Sequence, residues 1–116
     1  MNPSFHSNIS RQNAALRVAL FGDFDMNGVL RLEPQLGRAL DEGRVEEVEL
    51  DLSGLQFVDS TGLGVVLELY GRAREGEFAF SIVPGPRQVQ RVFEVTRLDE
   101  MLPFTDQPSA TTDTPD

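Results

Sequence analysis

The sequence predicts a single α/β domain with a mixed β-sheet and helices packed mainly on one face. Three observations predict it. Segments of β-type alternation and segments of helical spacing take turns along the chain. The clearest strand, Val45 to Leu52, puts Val48, Leu50 and Leu52 on one side and Glu47, Glu49 and Asp51 on the other. An alternating strand has one wet face, so helices cover the sheet there on one side only. Finally, 116 residues are enough for one core.

Taken in order, Met1 to Gln12 is polar, with Phe5 and Ile9 as isolated apolar residues. Both a weak edge strand and a frayed terminus fit that pattern. Ala15 to Phe21 reads as a strand, in which Leu16, Val18 and Leu20 alternate with Arg17 and Ala19. Gly22 to Asp25 turns the chain. Asp23 and Asp25 read as turn and cap residues or as a paired-carboxylate site; turn chemistry is preferred for Asp23. Asn27 to Glu42 is a helix with an apolar stripe at Val29, Leu32, Leu36, Ala39 and Leu40. Pro34 must start or kink it, since an interior proline costs about 3 kcal/mol. Gly43 ends it.

After the strand at 45–52, the stretch Phe57 to Gly64 passes from a β-type run into a second helix, Ser60 to Glu75. Ser60 and Thr61 stand where hydroxyls cap the first amides of a helix. Gly62 and Gly64 leave the turn bare. Leu63, Val66, Leu67 and Tyr70 form the expected core stripe; Val65 and Leu69 make a weaker one, read as contact with a neighbouring helix, with partner surface as the less common alternative. Phe78 to Val83 is a short strand. Pro84-Gly85-Pro86 breaks it, and Arg87 to Thr96 is a helix burying Val89, Val92 and Phe93. Leu102 to Phe104 adds a last short strand. Residues 105–116 are polar, acidic and proline-containing, and read as a disordered tail beside the domain at 1–104.

Composition excludes several functions. The net charge of −9 argues against nucleic acid and for a basic protein surface as partner. All ten basic residues are arginine. Without lysine there is no phosphate-binding P-loop, no Schiff base and no receiver domain built around Asp51. Cysteine is absent, which removes disulfide and thiolate chemistry and fits a reducing cytoplasm. No apolar run reaches membrane-spanning length and no signal peptide is visible, so neither a membrane nor secretion is expected. One histidine, His6, makes no usual zinc site. Neither a metal nor a cofactor is expected.

The central stretch also carries a resemblance. Asp59-Ser60-Thr61-Gly62-Leu63-Gly64 resembles the D-S-[S/T]-G-L-G signature of bacterial anti-sigma factor antagonists, which are STAS-domain proteins. Gly22-Asp23-Phe24-Asp25 resembles that family's G-E-[LI]-D turn, and Arg91 to Leu98 its last core helix. The likeness runs from about Ala15 to Phe104. It implies a STAS fold and no enzymatic activity. It also implies phosphorylation of Ser60 by a kinase-type anti-sigma factor, with a phosphatase as the resetting partner. Nucleotide and Mg²⁺ then belong to the kinase. The implied partner-binding residues are Asp25, Asp59, Ser60, Thr61, Gly62 and Leu63. Thr61 is assigned the structural cap; Gly62 and Leu63 are the shape a kinase cleft accepts. Asp59 either orients the acceptor hydroxyl or bonds the turn backbone. The family's final amphipathic helix has no counterpart here.

Two rivals stand beside this reading. One is an unphosphorylated STAS module of another assembly, such as a lipid-transport ATPase complex. The other is a small hydrolase using Ser60. That enzyme would have only His6 as base, and Val58 stands where a nucleophile elbow needs glycine.

Overall fold

The computed structural model describes residues 4–105. The elements are β1 (Phe5–Gln12), β2 (Ala15–Phe24), α1 (Met26–Asp41), β3 (Glu47–Val58), α2 (Ser60–Arg74), β4 (Ala79–Val83) and α3 (Arg87–Val95), followed by a 3₁₀ turn at Leu98–Glu100. The sheet order is β1-β2-β3-β4. β1 is antiparallel to β2; β2, β3 and β4 are mutually parallel. Two β-α-β crossovers, through α1 and α2, therefore build a mixed sheet, as expected.

The N-terminal segment is a full strand. Phe5 is buried and stacks on Phe24, with ring centroids 5.5 Å apart. Arg11, at its far end, donates to the carbonyls of Ala39, Glu42 and Arg44, so β1 closes the C-terminus of α1. β2 and β3 run past their expected ends, β2 to Phe24 and β3 to Val58. Register shifts near Ala19/Phe21 and Gly22/Asp23 absorb the mismatch between them.

One cluster of buried residues forms the core between sheet and helices. Phe24, Leu32, Leu52, Val66 and Phe93 are wholly inaccessible within it. Pro34 neither starts nor ends α1 but lies inside it. Its side of the helix is exposed, so water can serve the carbonyl that loses its amide partner. The stripe on α2 also differs from the expected one. Val65, Val66 and Leu69 are buried, whereas Leu63, Leu67 and Tyr70 are half-buried. The pairing of α2 with α1 turns the Val65–Leu69 side inward.

The opposite sheet face carries the acidic row, which is less free than a solvated face. Arg17 bonds both Glu49 and Asp51, and Asp51 also accepts from the amide (2.9 Å) and hydroxyl (2.7 Å) of Ser53. At the outer edge of β4, Phe104 makes an isolated bridge to Ile82 where a strand was expected. The Ile82 amide donates to Pro103 at 3.0 Å, and the Thr105 amide donates to Ile82 at 2.8 Å. The body thus continues through Thr105. The remainder of the expected tail lies outside the described residues.

Deleting residues 106–116 is expected to move Tm by less than about 2 °C, because their composition offers nothing to bury. Deleting from Pro103 removes the Ile82 bonds and the Phe93–Phe104 ring contact. That should lower Tm by more than about 5 °C. Thermal unfolding followed by circular dichroism checks both.

Candidate functional site

β2 and β3 end side by side, with Phe24 opposite Val58 and the Asp59 amide donating to the Phe24 carbonyl at 3.3 Å. Each strand is followed by an aspartate and then a helix. Asp25 and Asp59 have almost the same backbone conformation, φ −113°, ψ −166° and φ −115°, ψ −171°. Asp25 accepts from the amide of Gly28 at 3.0 Å. Asp59 accepts from the amides of Thr61 at 2.9 Å and Gly62 at 3.1 Å. Two helix N-termini thus lie together, each capped by a carboxylate.

This corrects the expected division of labour. The cap of α2 is Asp59; Ser60 and Thr61 are its first two helical residues. Among the described residues neither hydroxyl has a hydrogen-bond partner. For Asp59 the backbone-bonding alternative holds. Asp25, assigned to partner binding, is the cap of α1. Asp23, expected in a turn, lies in β2 with its amide bonded to Ser4 at 2.6 Å.

Gly62 is buried, and a Cβ there would lie 2.3 Å from the Phe24 carbonyl oxygen. It is therefore a packing residue that lets α2 start against the end of β2. Leu63 is half-buried against the core. Ser60 is exposed, as are Met26 at 60 %, Leu30 at 63 % and Phe57 at 50 %. The last three were not singled out in the sequence. His6 stacks on Phe21 at 4.6 Å, following Phe5, which faces the core. It therefore sits on the sheet face away from the helices. Among the described residues no cluster of metal-binding side chains occurs.

A pattern in the sequence could have located both caps. Phe24-Asp25-Met26-Asn27-Gly28 and Val58-Asp59-Ser60-Thr61-Gly62 share an apolar residue, aspartate, two variable positions and glycine. Gly28, like Gly62, has no room for a Cβ: the Asp23 carbonyl oxygen would be 2.8 Å away.

A family model described as "Mlab, STAS domain" matches residues 7–103. The chain belongs to the STAS-domain family. The Anti-sigma F factor antagonist of Paenibacillus polymyxa is 31 % identical over 100 residues, covering 84 % of each chain. The crystal structure of an anti-sigma factor antagonist from Mycobacterium paratuberculosis superimposes with TM-score 0.78. It is 23 % identical and covers 91 % of this STAS chain and 89 % of its own. The Bacillus cell fate determinant SpoIIAA in its phosphorylated form gives TM-score 0.67 at 19 % identity, covering 90 % and 96 %. Among the described residues of this STAS domain no helix is long and apolar enough to cross a membrane.

Asp59→Ala is expected to cost about 0.5–2 kcal/mol through loss of the cap. Ser60→Ala, which removes no hydrogen bond, should stay within about 0.5 kcal/mol of the parent. Gly62→Ala should cost about 1–3 kcal/mol, because backbone must shift to admit the methyl. Urea unfolding of the three variants gives these values and their order.

Proposed function

We propose that this STAS domain is an anti-sigma factor antagonist switched by phosphorylation of Ser60. One observation carries the reading. Ser60 is exposed at the first position of α2, and Asp59 performs the capping. Its hydroxyl is free to be modified without loss of a structural bond. The names of the relatives support the same reading, as does a structural neighbour solved in a phosphorylated form.

Unphosphorylated, the chain binds a kinase-type anti-sigma factor in the cytoplasm and frees a sigma factor. Phosphorylation releases it and a phosphatase resets it. The kinase holds the nucleotide and Mg²⁺. The chain acts by binding; His6 lies on the sheet face away from the helices, so no base for Ser60 is supplied from there. Asp25, Asp59, Thr61 and Leu63 rim the contact around Ser60, and Gly62 acts through its shape. The second reading is a STAS module of another assembly, such as a lipid-transport ATPase complex, that is not phosphorylated.

The physical basis of the switch is charge. Phosphate adds about −1.5 to −2 charges. At a helix N-terminus that charge is tolerated or favourable by about 0.3–1 kcal/mol, so the fold survives. A kinase base beside the acceptor is a carboxylate. Repulsion at ~4 Å is about 4 kcal/mol per charge pair at an effective dielectric near 20. Half of that weakens binding more than tenfold, since ~1.4 kcal/mol is one decade.

The test is incubation with ATP and a purified kinase-type anti-sigma factor, followed by intact mass and calorimetry. Wild type should gain one phosphate and Ser60→Ala none. Ser60→Ala should bind like unphosphorylated wild type, and Ser60→Asp and the phosphoprotein at least tenfold more weakly, all folded by circular dichroism. Equal affinities, or an unfolded phosphoprotein, would sink the mechanism. Absence of phosphate together with copurification of a transporter ATPase would establish the second reading.

A further inference from the structure

The chain has four asparagines, and each precedes a different residue: Pro3, Ile9, Ala14 and Gly28. That following residue decides how easily an asparagine loses its side-chain amide. Its backbone nitrogen attacks the side-chain carbonyl carbon and forms a new C–N bond. The bond to the side-chain nitrogen breaks, and that nitrogen leaves as ammonia with the proton the backbone gave up. The cyclic succinimide then adds water at one of its two carbonyls, giving aspartate or isoaspartate. Pro3 has no N–H to give up. Ile9 crowds its nitrogen with a branched side chain, whereas Gly28 leaves its nitrogen bare. Of the four pairs, Asn27–Gly28 has the most reactive chemistry.

The fold holds this pair closed. Asn27 is exposed, but it lies in the first turn of α1. Ring closure needs an Asn27 ψ outside the helical region, because helical backbone keeps the Gly28 nitrogen away from the side-chain carbonyl carbon. The Gly28 amide also donates to the Asp25 carboxylate at 3.0 Å, and the Val29 amide donates to the Asp25 carbonyl at 2.8 Å. Gly28 is buried, and a Cβ on it would lie 2.8 Å from the Asp23 carbonyl oxygen and 3.0 Å from the Phe5 ring. The residue has no space to turn in place. Reaction therefore waits for the first turn of α1 to open.

We propose that Asn27–Gly28 is a deamidation site of this protein and that the Asp25 cap sets its rate in the folded state. The two products differ in what they do to the fold. α1 has no acidic residue in its first turn, so aspartate at position 27 adds charge where the helix dipole favours it. Isoaspartate instead routes the main chain through the former side chain and adds a methylene before Gly28. The seat of Gly28 between Asp23 and Phe5 does not admit that shift, and the first turn of α1 cannot re-form. The damaged turn lies beside the start of α2, where the Asp59 amide is bonded to the Phe24 carbonyl.

The full chain is held in mildly alkaline buffer, folded or in guanidinium chloride, and amide loss at each asparagine is followed by peptide mass mapping. In guanidinium chloride Asn27 should react faster than Asn8 and Asn13. In the folded chain it should react about tenfold more slowly or less still. An unreactive Asn27 in guanidinium chloride overturns the site; equal rates in the two states overturn the lock. Neither measurement needs a variant. Asp25→Ala should speed the folded-state reaction about fivefold, the change in opening that loss of a typical cap produces. Asp25→Ser, which still caps, should stay near the parent rate. Slower reaction in Asp25→Ala would make the carboxylate a base that promotes attack, and would overturn the lock. Asn27→Asp should keep the parent Tm, while the purified isoaspartate form should melt lower; a parental Tm for the latter overturns the packing argument.

Discussion

The carboxylate of Asp59 is the contact on which this end of the molecule depends. It holds the amides of Thr61 and Gly62 at the point where β3 becomes α2. Without that contact those amides would lose their only side-chain acceptor, since the residues four positions before them lie in β3 and offer no intrahelical carbonyl. With it, α2 starts immediately after the strand, and its first turn presses on the end of β2. The contact is so close that only glycine fits at position 62, against the Phe24 carbonyl oxygen. Asp25 and Gly28 repeat the device one strand over. Two helices are thereby launched from neighbouring parallel strands in near-identical geometry.

That geometry gives the capping to Asp59 and leaves the Ser60 hydroxyl out of it. A serine at a helix start ordinarily caps it, and modification would then break the helix it caps. Here aspartate does the capping, and the serine beside it stays exposed. The positive end of the helix dipole lies under the hydroxyl, so an added phosphate meets a favourable field from the backbone. The net charge of −9 is distributed elsewhere as well, partly in the Glu49–Asp51 row that Arg17 ties down on the far side of the sheet.

The two edges of the sheet are treated differently. The outer edge of β4 is closed by the Pro103–Thr105 segment. β1 forms the opposite edge, and its Arg11 reaches over to close α1. Among the described residues, the core at this end is therefore covered without a further helix after α3 and the 3₁₀ turn. α3, the 3₁₀ turn and Phe104 do that work at the β4 end, with Phe104 set edge-on to Phe93 at 5.1 Å.

Much of the fold was legible because each element carries a local signal. The alternation at 45–52, the stripe of α1 and the break at Pro84-Gly85-Pro86 need no tertiary information. The central stretch was legible too, as the place where strand gives way to helix with small residues at the turn. The cap was misplaced because serine, threonine and aspartate are all good caps, and only the path of the backbone decides which one reaches the free amides. The strand at Phe5–Gln12 has a weak pattern and exists because β2 offers it an edge and Phe24 a ring to stack on. Which stripe of α2 faced inward depended on where α1 lies. Local propensity and periodicity are properties of neighbouring residues, and the sequence by itself determined the elements from β2 to α3, their order and the place of Ser60 where strand gives way to helix. Caps and glycine contacts arise where distant segments meet, and only the tertiary structure decided those.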